Sequence, residues 1–139
     1  MTESKYIWMD GEFTPWNEAK VHVLSHTLHY GNGAIEGTKA YKTVDGRCAI
    51  FKLNEHTQRL LNSSKMTLMN VPFSLEELNK AQVELLQKNE LTNGAYIRPL
   101  VYLGYGVMGL YHKDAPVKVS ISAWEWGAYL GEKQLKVCV

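Results

Sequence analysis

The segment HTLHYGNGAIEGTKAYKT, residues 26–43, carries three glycines within seven positions, at 31, 33 and 37. A dinucleotide-binding loop would place G-x-G-x-x-G after an apolar strand and at the start of a helix. Here residue 36 is a glutamate, so the third glycine comes one position late, and EGTKAYKT is typical of a strand. The segment therefore predicts a strand that enters a sheet, and not a phosphate-binding turn.

Two Asp-Gly pairs lie between runs of β-forming residues. Asp10-Gly11 interrupts KYIWMDGEFTPW, and Asp45-Gly46 interrupts GTKAYKTVDGRCAIFKL. Asp-Gly between such runs is a strong signal for a β-hairpin. The first fifty residues are therefore expected to form two hairpins.

Two helices and two further strands follow. Asn54 is predicted to cap a helix through HTQRLLNSSKMTLM, and Ser74 with Glu77 has the spacing of a capping box. The runs AYIRPLVYLG and VKVSISAWEW then resemble strands, on either side of a glycine-spaced loop. This order predicts an α+β fold, with a mostly antiparallel sheet and two helices packed on one side.

Composition narrows the functional classes. The net charge of +1 argues against a protein that binds nucleic acid, and no apolar run reaches the length of a membrane span. The four Trp and eight Tyr could form a stacking platform for single-stranded RNA, a distant alternative that lacks a basic strand pattern. Cys48 and Cys138 lie far apart, which indicates reduced thiols and a cytoplasmic location.

Three histidines, His22, His26 and His29, have a spacing that would align them on a helix. Metal binding is possible in principle, but there is no H-E-x-x-H frame, and KVHVL alternates like a strand. We expect these histidines to be hydrogen-bonded within a packed turn, and we predict no metal site.

The strand YIRPLVYLG places Tyr96 and Arg98 on one face, together with Leu100 and Tyr102. An arginine in such an apolar run must reach solvent, pair with an acid or bind an anionic ligand. A carboxylate ligand suits its planar guanidinium. A structural ion pair with Glu36 or Glu125 is an equal alternative.

Two further residues have both a structural and a functional interpretation. Gly37 lies within a predicted strand, where glycine often marks the close approach of a ligand or of another backbone. Arg59 lies in the first helix, where an arginine is most often simply solvated. A guanidinium on a rigid helix can also bind a phosphate.

Four segments in this order, LHYGNGAIEGTKAY, NEHTQRLLNSSK, AYIRPLVYLGYGVMGL and WGAYLG, resemble the amino-terminal part of fold-type IV pyridoxal-phosphate enzymes. The resemblance is strongest to branched-chain amino acid aminotransferases, and it runs from about Tyr6 to the end of the chain. It implies that residues 1–131 form the small amino-terminal domain. Residues 132–139, whose alternation resembles the start of a strand, would lead to a carboxy-terminal domain with the Schiff-base lysine, so no catalytic residue is expected here.

The resemblance also implies supporting roles for residues in this chain. Arg59 would contact the phosphate of pyridoxal 5'-phosphate, and Tyr96 with Arg98 would fix the substrate carboxylate. Ile35, where the family commonly has Phe, would line the side-chain pocket. The other pocket-lining residues implied are Gly37, Trp126 and Tyr129, and the residues implied to reach the neighbouring subunit are Tyr30 and Leu110.

The implied activity is the transfer of the amino group of Leu, Ile or Val to 2-oxoglutarate by a homodimer or an assembly of dimers. The chain alone is expected to be inactive. Within the same fold, a D-amino acid aminotransferase or an aminodeoxychorismate lyase is an alternative. A stand-alone small-ligand-binding module is an alternative from a different class.

Overall fold

Seven strands form one antiparallel sheet in the part of the chain that the computed structural model describes, residues 2–126. The strands are β1 (Tyr6–Met9), β2 (Glu12–Pro15), β3 (Gly33–Ile35), β4 (Thr38–Lys42), β5 (Cys48–Ile50), β6 (Gly94–Leu103) and β7 (Val117–Trp124). Their order is β2-β1-β7-β6-β4-β5, and β3 also pairs with β6. The long strand β6 is therefore the centre of the sheet.

Both predicted hairpins are present. β1 and β2 join through Asp10 and Gly11, whose φ angles of 49° and 104° suit a tight two-residue turn. β4 and β5 join through a longer loop, in which the Thr43 amide donates to the Arg47 carbonyl at 2.8 Å. Gly46 has a φ of 82° in that loop, which favours glycine.

A proline explains why β3 and β4 are separate strands. Ile35 pairs with Leu100 and Thr38 pairs with Ile97, so the register against β6 is continuous across the gap. In the gap the Glu36 amide donates to the Pro99 carbonyl at 3.0 Å. Because proline has no amide hydrogen, it cannot return a hydrogen bond, and the ladder is interrupted at this point.

Residues 2–126 contain three α-helices, α1 (His26–Tyr30), α2 (Leu53–Met66) and α3 (Leu75–Lys88), and one short 3-10 helix, Trp16–Glu18. The capping box that the sequence predicts for α3 is confirmed: the Glu77 amide donates to Ser74 Oγ at 3.2 Å, and the Ser74 amide donates to Glu77 Oε2 at 2.7 Å. The prediction of Asn54 as a cap for α2 is wrong. The residue before this helix is Lys52, in a left-handed conformation, and the Asn54 side chain accepts a hydrogen bond from Asn79 of α3.

The alternation of KVHVL, residues 20–24, does not form a strand. The Ser25 amide donates to the His22 carbonyl at 2.9 Å, and the His29 ring contacts the Val23 carbonyl at 2.9 Å. Both contacts hold the segment in a turn that leads into α1. The prediction is confirmed for His29 and for His22, whose Nδ1 accepts from the Leu24 amide at 3.1 Å, while the His26 ring contacts the Gly109 carbonyl of a distant loop. Alternation alone is insufficient when no sheet edge is available for pairing.

The core lies between one face of the sheet and the pair α2 and α3. α3 packs against β1 and β7, while α2 packs against β3 and β6. The faces predicted for β6 are confirmed, because Ile97 and Val101 are fully buried while Tyr96 and Arg98 lie on the other face. None of the helices between Thr2 and Trp126 combines the length and the apolar character needed to cross a membrane. The face of the sheet opposite α2 and α3 remains for a site.

Candidate functional site

A cavity of about 440 Å³ opens on the face of the sheet opposite α2 and α3. It is lined by Gly37, Lys39, Tyr96, Arg98 and Trp126. Gly37 lies in the gap between β3 and β4, and Lys39 lies in β4. Tyr96 and Arg98 lie in β6, and Trp126 lies two residues after the end of β7. The structure therefore brings together four residues for which the sequence predicts a site.

Arg98 is held by a tyrosine and not by an acid. Its Nε and Nη2 atoms donate to the Tyr96 hydroxyl oxygen at 3.1 and 2.7 Å. No acidic side chain in residues 2–126 forms an ion pair with Arg98. The alternative of a structural ion pair with Glu36 or Glu125 is therefore wrong, and the half-buried charge is open to an anionic ligand.

Gly37 makes room for Tyr96. A Cβ at position 37 would collide with the Tyr96 hydroxyl and would lie 3.0 Å from its Cζ. The ring of Tyr96 also packs edge-on against Trp126, with centroids 4.7 Å apart, and against Trp124 at 5.2 Å. The absence of a side chain at Gly37 thus allows the Tyr96 hydroxyl to occupy the position in which it accepts hydrogen bonds from Arg98.

The other predicted pocket residues lie outside this cavity or outside the described chain. Ile35, in β3, pairs with Leu100 of β6 and faces the same side of the sheet as Gly37, two residues later. It is 56% exposed and does not line the cavity. Tyr129 lies outside the described residues.

Tyr30 and the loop around Leu110 form a second group. The Gly109 amide donates to the Tyr30 hydroxyl oxygen at 3.0 Å, and the buried His26 ring contacts the Gly109 carbonyl at 2.8 Å. Leu110 follows this anchored glycine and is 87% exposed. The loop is thus fixed at Gly109 and presents an apolar side chain to solvent.

Arg59 is exposed, yet it is not simply solvated. Its Nε donates to Glu36 Oε1, and its Nη2 donates to Glu36 Oε2 at 2.8 Å. His56, one turn earlier on α2, also contacts Glu36 Oε2 through Nδ1 at 2.8 Å. Sequence reasoning misses this cluster, because it offers Glu36 only as a partner for Arg98.

Glu36 remains charged at its buried position. Burial pushes the pKa of Glu36 upward, but hydrogen bonds and charges from Arg59 and His56 outweigh burial and hold the pKa below its ordinary value. The same carboxylate raises the pKa of Arg59 above its ordinary value. The guanidinium is therefore a permanent, oriented positive charge.

The free edge of Arg59 suits the phosphate of pyridoxal 5'-phosphate. The Arg59 side chain is 65% exposed beside a cavity of about 280 Å³, whose other lining residues include Phe51, Lys52 and His56. Within the described stretch, Nη1 donates to no other residue. Guanidinium N–H groups bind phosphate oxygens well, so the donor set fits the phosphate of this cofactor.

The chain has close relatives of known activity. It is 48% identical, over 130 residues, to the branched-chain-amino-acid aminotransferase of Pseudomonas aeruginosa. It is 43% identical, over 143 residues, to the enzyme of the same name from Escherichia coli K12. These matches cover 94% and 98% of this chain but 42% and 44% of the relatives, so the chain spans less than half of their length.

Solved structures agree with the predicted fold. The branched-chain amino acid aminotransferase of Escherichia coli matches with a TM-score of 0.86 and 42% identity, over 94% of this chain and 42% of that one. The T.th. enzyme of the same name, with pyridoxamine 5'-phosphate, matches with a TM-score of 0.86 and 45% identity, over 95% of this chain and 43% of that one. Residues 33–139 match the family model for amino-transferase class IV. The chain therefore belongs to the class IV aminotransferase family.

Proposed function

We propose that this chain is the amino-terminal part of a branched-chain amino acid aminotransferase, which transfers the amino group of Leu, Ile or Val to 2-oxoglutarate. The observation that carries this proposal is the Arg98 guanidinium, fixed by Tyr96 beside an apolar wall and paired with no acid in residues 2–126. Both substrates carry a carboxylate, and a planar guanidinium recognises it with two parallel hydrogen bonds. The similarity to enzymes of this name supports the same substrate class.

The wall around Arg98 would orient the substrate. Trp126 and the ring of Tyr96 provide apolar surface for an aliphatic side chain, while Arg98 holds the carboxylate. Ile35, in β3 beside β6, is exposed and can extend the apolar surface. Tyr129, by family resemblance, would complete the pocket.

Pyridoxal 5'-phosphate, when bound, supplies the electron sink that amino transfer requires. In this chain Arg59 would bind the phosphate group of the cofactor. By family resemblance the Schiff-base lysine belongs to the carboxy-terminal domain, with residues 1–131 as the small domain and 132–139 as the connection. We propose that the 139-residue chain alone does not catalyse transamination.

We propose that the enzyme acts as a homodimer or as an assembly of dimers. Tyr30 fixes the loop that presents Leu110, and by family resemblance both residues would reach the active site of the neighbouring subunit. Exposed apolar side chains on this side of the chain support an interface. They include Val23, Leu28, Met108 and Tyr111. The free thiol of Cys48 is in keeping with a cytoplasmic location.

A chimera tests the proposed activity. The chain would replace the matching segment of the Pseudomonas aeruginosa relative, and amino transfer to 2-oxoglutarate would be measured with Leu, Ile, Val and D-alanine. We expect transfer from the three branched-chain amino acids and none from D-alanine. In Arg98→Lys, an ammonium group replaces the planar guanidinium and cannot form the same pair of parallel hydrogen bonds to a carboxylate. We therefore expect the KM for the amino acid to rise by about 10-fold or more.

Two results would contradict the proposal. A chimera that binds the cofactor but prefers D-alanine would favour the D-amino acid aminotransferase, and an unchanged KM in Arg98→Lys would remove the proposed role of Arg98. For the chain alone, borohydride reduction in the presence of pyridoxal 5'-phosphate should label no lysine selectively by intact mass. Selective labelling would contradict the placement of the Schiff-base lysine outside this chain.

A further inference from the structure

Glu36 is a buried carboxylate between two residues of the proposed substrate wall. It is 6% exposed, and its backbone amide is fixed to the Pro99 carbonyl at 3.0 Å. Because its neighbours Ile35 and Gly37 face the side of the sheet opposite α2 and α3, the Glu36 side chain points toward α2. A buried charge is costly unless it is paired, so the contacts of Glu36 decide its role.

The carboxylate contacts two side chains of α2. Oε1 accepts from Arg59 Nε, and Oε2 accepts from Arg59 Nη2 and from His56 Nδ1, both at 2.8 Å. To donate to Glu36, Nδ1 of His56 must carry a proton, so the 3.4 Å approach of Arg59 Nη2 to the same atom is no additional hydrogen bond. Glu36 thus fixes both the orientation of Arg59 and the tautomer of His56.

An exposed arginine normally samples many rotamers, and binding a ligand would require it to lose that freedom. In this chain the Nε edge of Arg59 is already bound to a rigid, buried acceptor. Arg59 lines a cavity together with His56, and within residues 2–126 the Nη1 atom at the opposite edge of the guanidinium donates to no other residue. The arrangement presents one preoriented edge of the guanidinium to an anion.

We propose that Glu36 is a positioning residue, which holds Arg59 in the orientation that binds the cofactor phosphate; the proposal rests on the phosphate role of Arg59 given above. Glu36 also connects two ends of the site, since it fixes the phosphate arginine through its side chain and lies between Ile35 and Gly37 in the backbone. A substitution of Glu36 would therefore weaken phosphate binding through Arg59, although Glu36 itself does not contact the phosphate.

The contact can be observed directly in the 15N-labelled full chain. The chain has three arginines, at 47, 59 and 98, so its Nε–H spectrum is simple, and Arg59→Lys identifies the Arg59 signal by its disappearance. We expect a solvent-protected Arg59 Nε–H signal in the wild type, because Glu36 shields it. Rapid exchange of this proton with water in the wild type would overturn the proposal, whatever the variants show.

Titration with inorganic phosphate at constant ionic strength separates positioning from simple structural support. We expect phosphate to shift the Arg59 signal saturably in the wild type and in Glu55→Gln. The latter is the matched control, because it removes the same charge from the same cavity without a contact to Arg59. In Glu36→Gln the phosphate dissociation constant should rise by about 5-fold or more, since Arg59 must be ordered on binding.

Glu36→Asp keeps the charge but shortens the side chain, so we expect its phosphate dissociation constant to lie between those of the wild type and Glu36→Gln. If Glu36→Gln does not fold, Glu36→Asp is measured in its place. Equal phosphate affinity in the wild type and in the folded Glu36 variants would overturn the positioning role alone. If phosphate shifts no Arg59 signal in the wild type, the phosphate role of Arg59 is wrong, and the proposal that rests on it is overturned too.

Discussion

The hydroxyl of Tyr96 fills the space beside Gly37 in which any larger residue would carry its Cβ. The same hydroxyl accepts both hydrogen bonds from Arg98. The glycine, the tyrosine and the arginine therefore form one unit, in which the size of residue 37 controls the position of a charge two residues beyond Tyr96 on the neighbouring strand.

Gly37→Ala should displace Tyr96 and lower the free energy of unfolding by about 1 kcal/mol, because the new methyl group overpacks the site. The cost is limited, since the end of a tyrosine can rotate away. In the Tyr96→Phe background the hydroxyl is absent and the nearest ring atom would lie at 3.0 Å, so the same substitution should cost less. Urea unfolding of the four proteins gives the coupling; strict additivity of the two costs would show that the residues do not compete for space.

The acid dependence of stability should change in Glu36→Gln. The pKa of Glu36 in the folded protein lies below its ordinary value of 4.5. Its contribution to stability is therefore fully present above the unfolded pKa and is lost as the pH falls through the folded pKa. We expect the variant to be less stable by about 1 to 3 kcal/mol near neutral pH, toward the lower end because Arg59 is exposed.

The difference between wild type and Glu36→Gln should shrink as the pH falls below the ordinary value of 4.5 and through the lower pKa of the folded protein, where the wild-type carboxylate becomes protonated. Urea unfolding across this pH range measures it. Asp45, Glu55 and Glu77 also have lowered pKa values, but they contribute to both proteins and cancel in the difference. A difference that stays constant with pH would mean that the pKa of Glu36 is the same in the folded and the unfolded chain.

Ser74→Ala should destabilise the chain by about 1 kcal/mol, because the Glu77 amide at the start of α3 loses its acceptor. The matched control is Ser63→Ala, in the middle of α2, where alanine has the higher helix propensity and little change is expected. Thermal or urea unfolding measures both. Equal effects at the two positions would contradict the specific role of the cap.

Tyr30→Phe should loosen the loop that presents Leu110. The Gly109 amide would lose the hydroxyl that accepts its hydrogen bond, while the contact of His26 with the Gly109 carbonyl would remain. We expect faster hydrogen exchange at the Gly109 amide, measured by NMR, with little change in global stability. Tyr41→Phe, at an exposed tyrosine of β4, is the control and should leave this amide unchanged.

Local features of the fold could be predicted from the sequence. The capping box at Ser74 and Glu77 and the turn at Asp10-Gly11 depend on residues within four positions of each other, so their patterns are complete in the sequence. The two faces of β6 follow from alternation, because one face is buried by helices along the whole strand.

The contacts that sequence reasoning missed join distant positions. Glu36 and Arg59 are 23 residues apart, and neither residue reveals its partner until the place of α2 beside β3 is known. The segment at 20–24 alternates like a strand, yet hydrogen bonds to His22 and Val23 carbonyls hold it in a turn. Asn54 likewise contacts α3 rather than its own helix.

The position of β1 in the sheet determines when the fold can be completed during synthesis. Asp10 and Val119 exchange hydrogen bonds across 109 positions, and within residues 2–126 the β1–β2 hairpin joins the other strands only through β7. During synthesis the β1–β2 hairpin therefore emerges long before β7, the strand with which β1 pairs in the folded chain. Until β7 emerges, β1 presents an unpaired strand edge to which chaperones of nascent chains can bind.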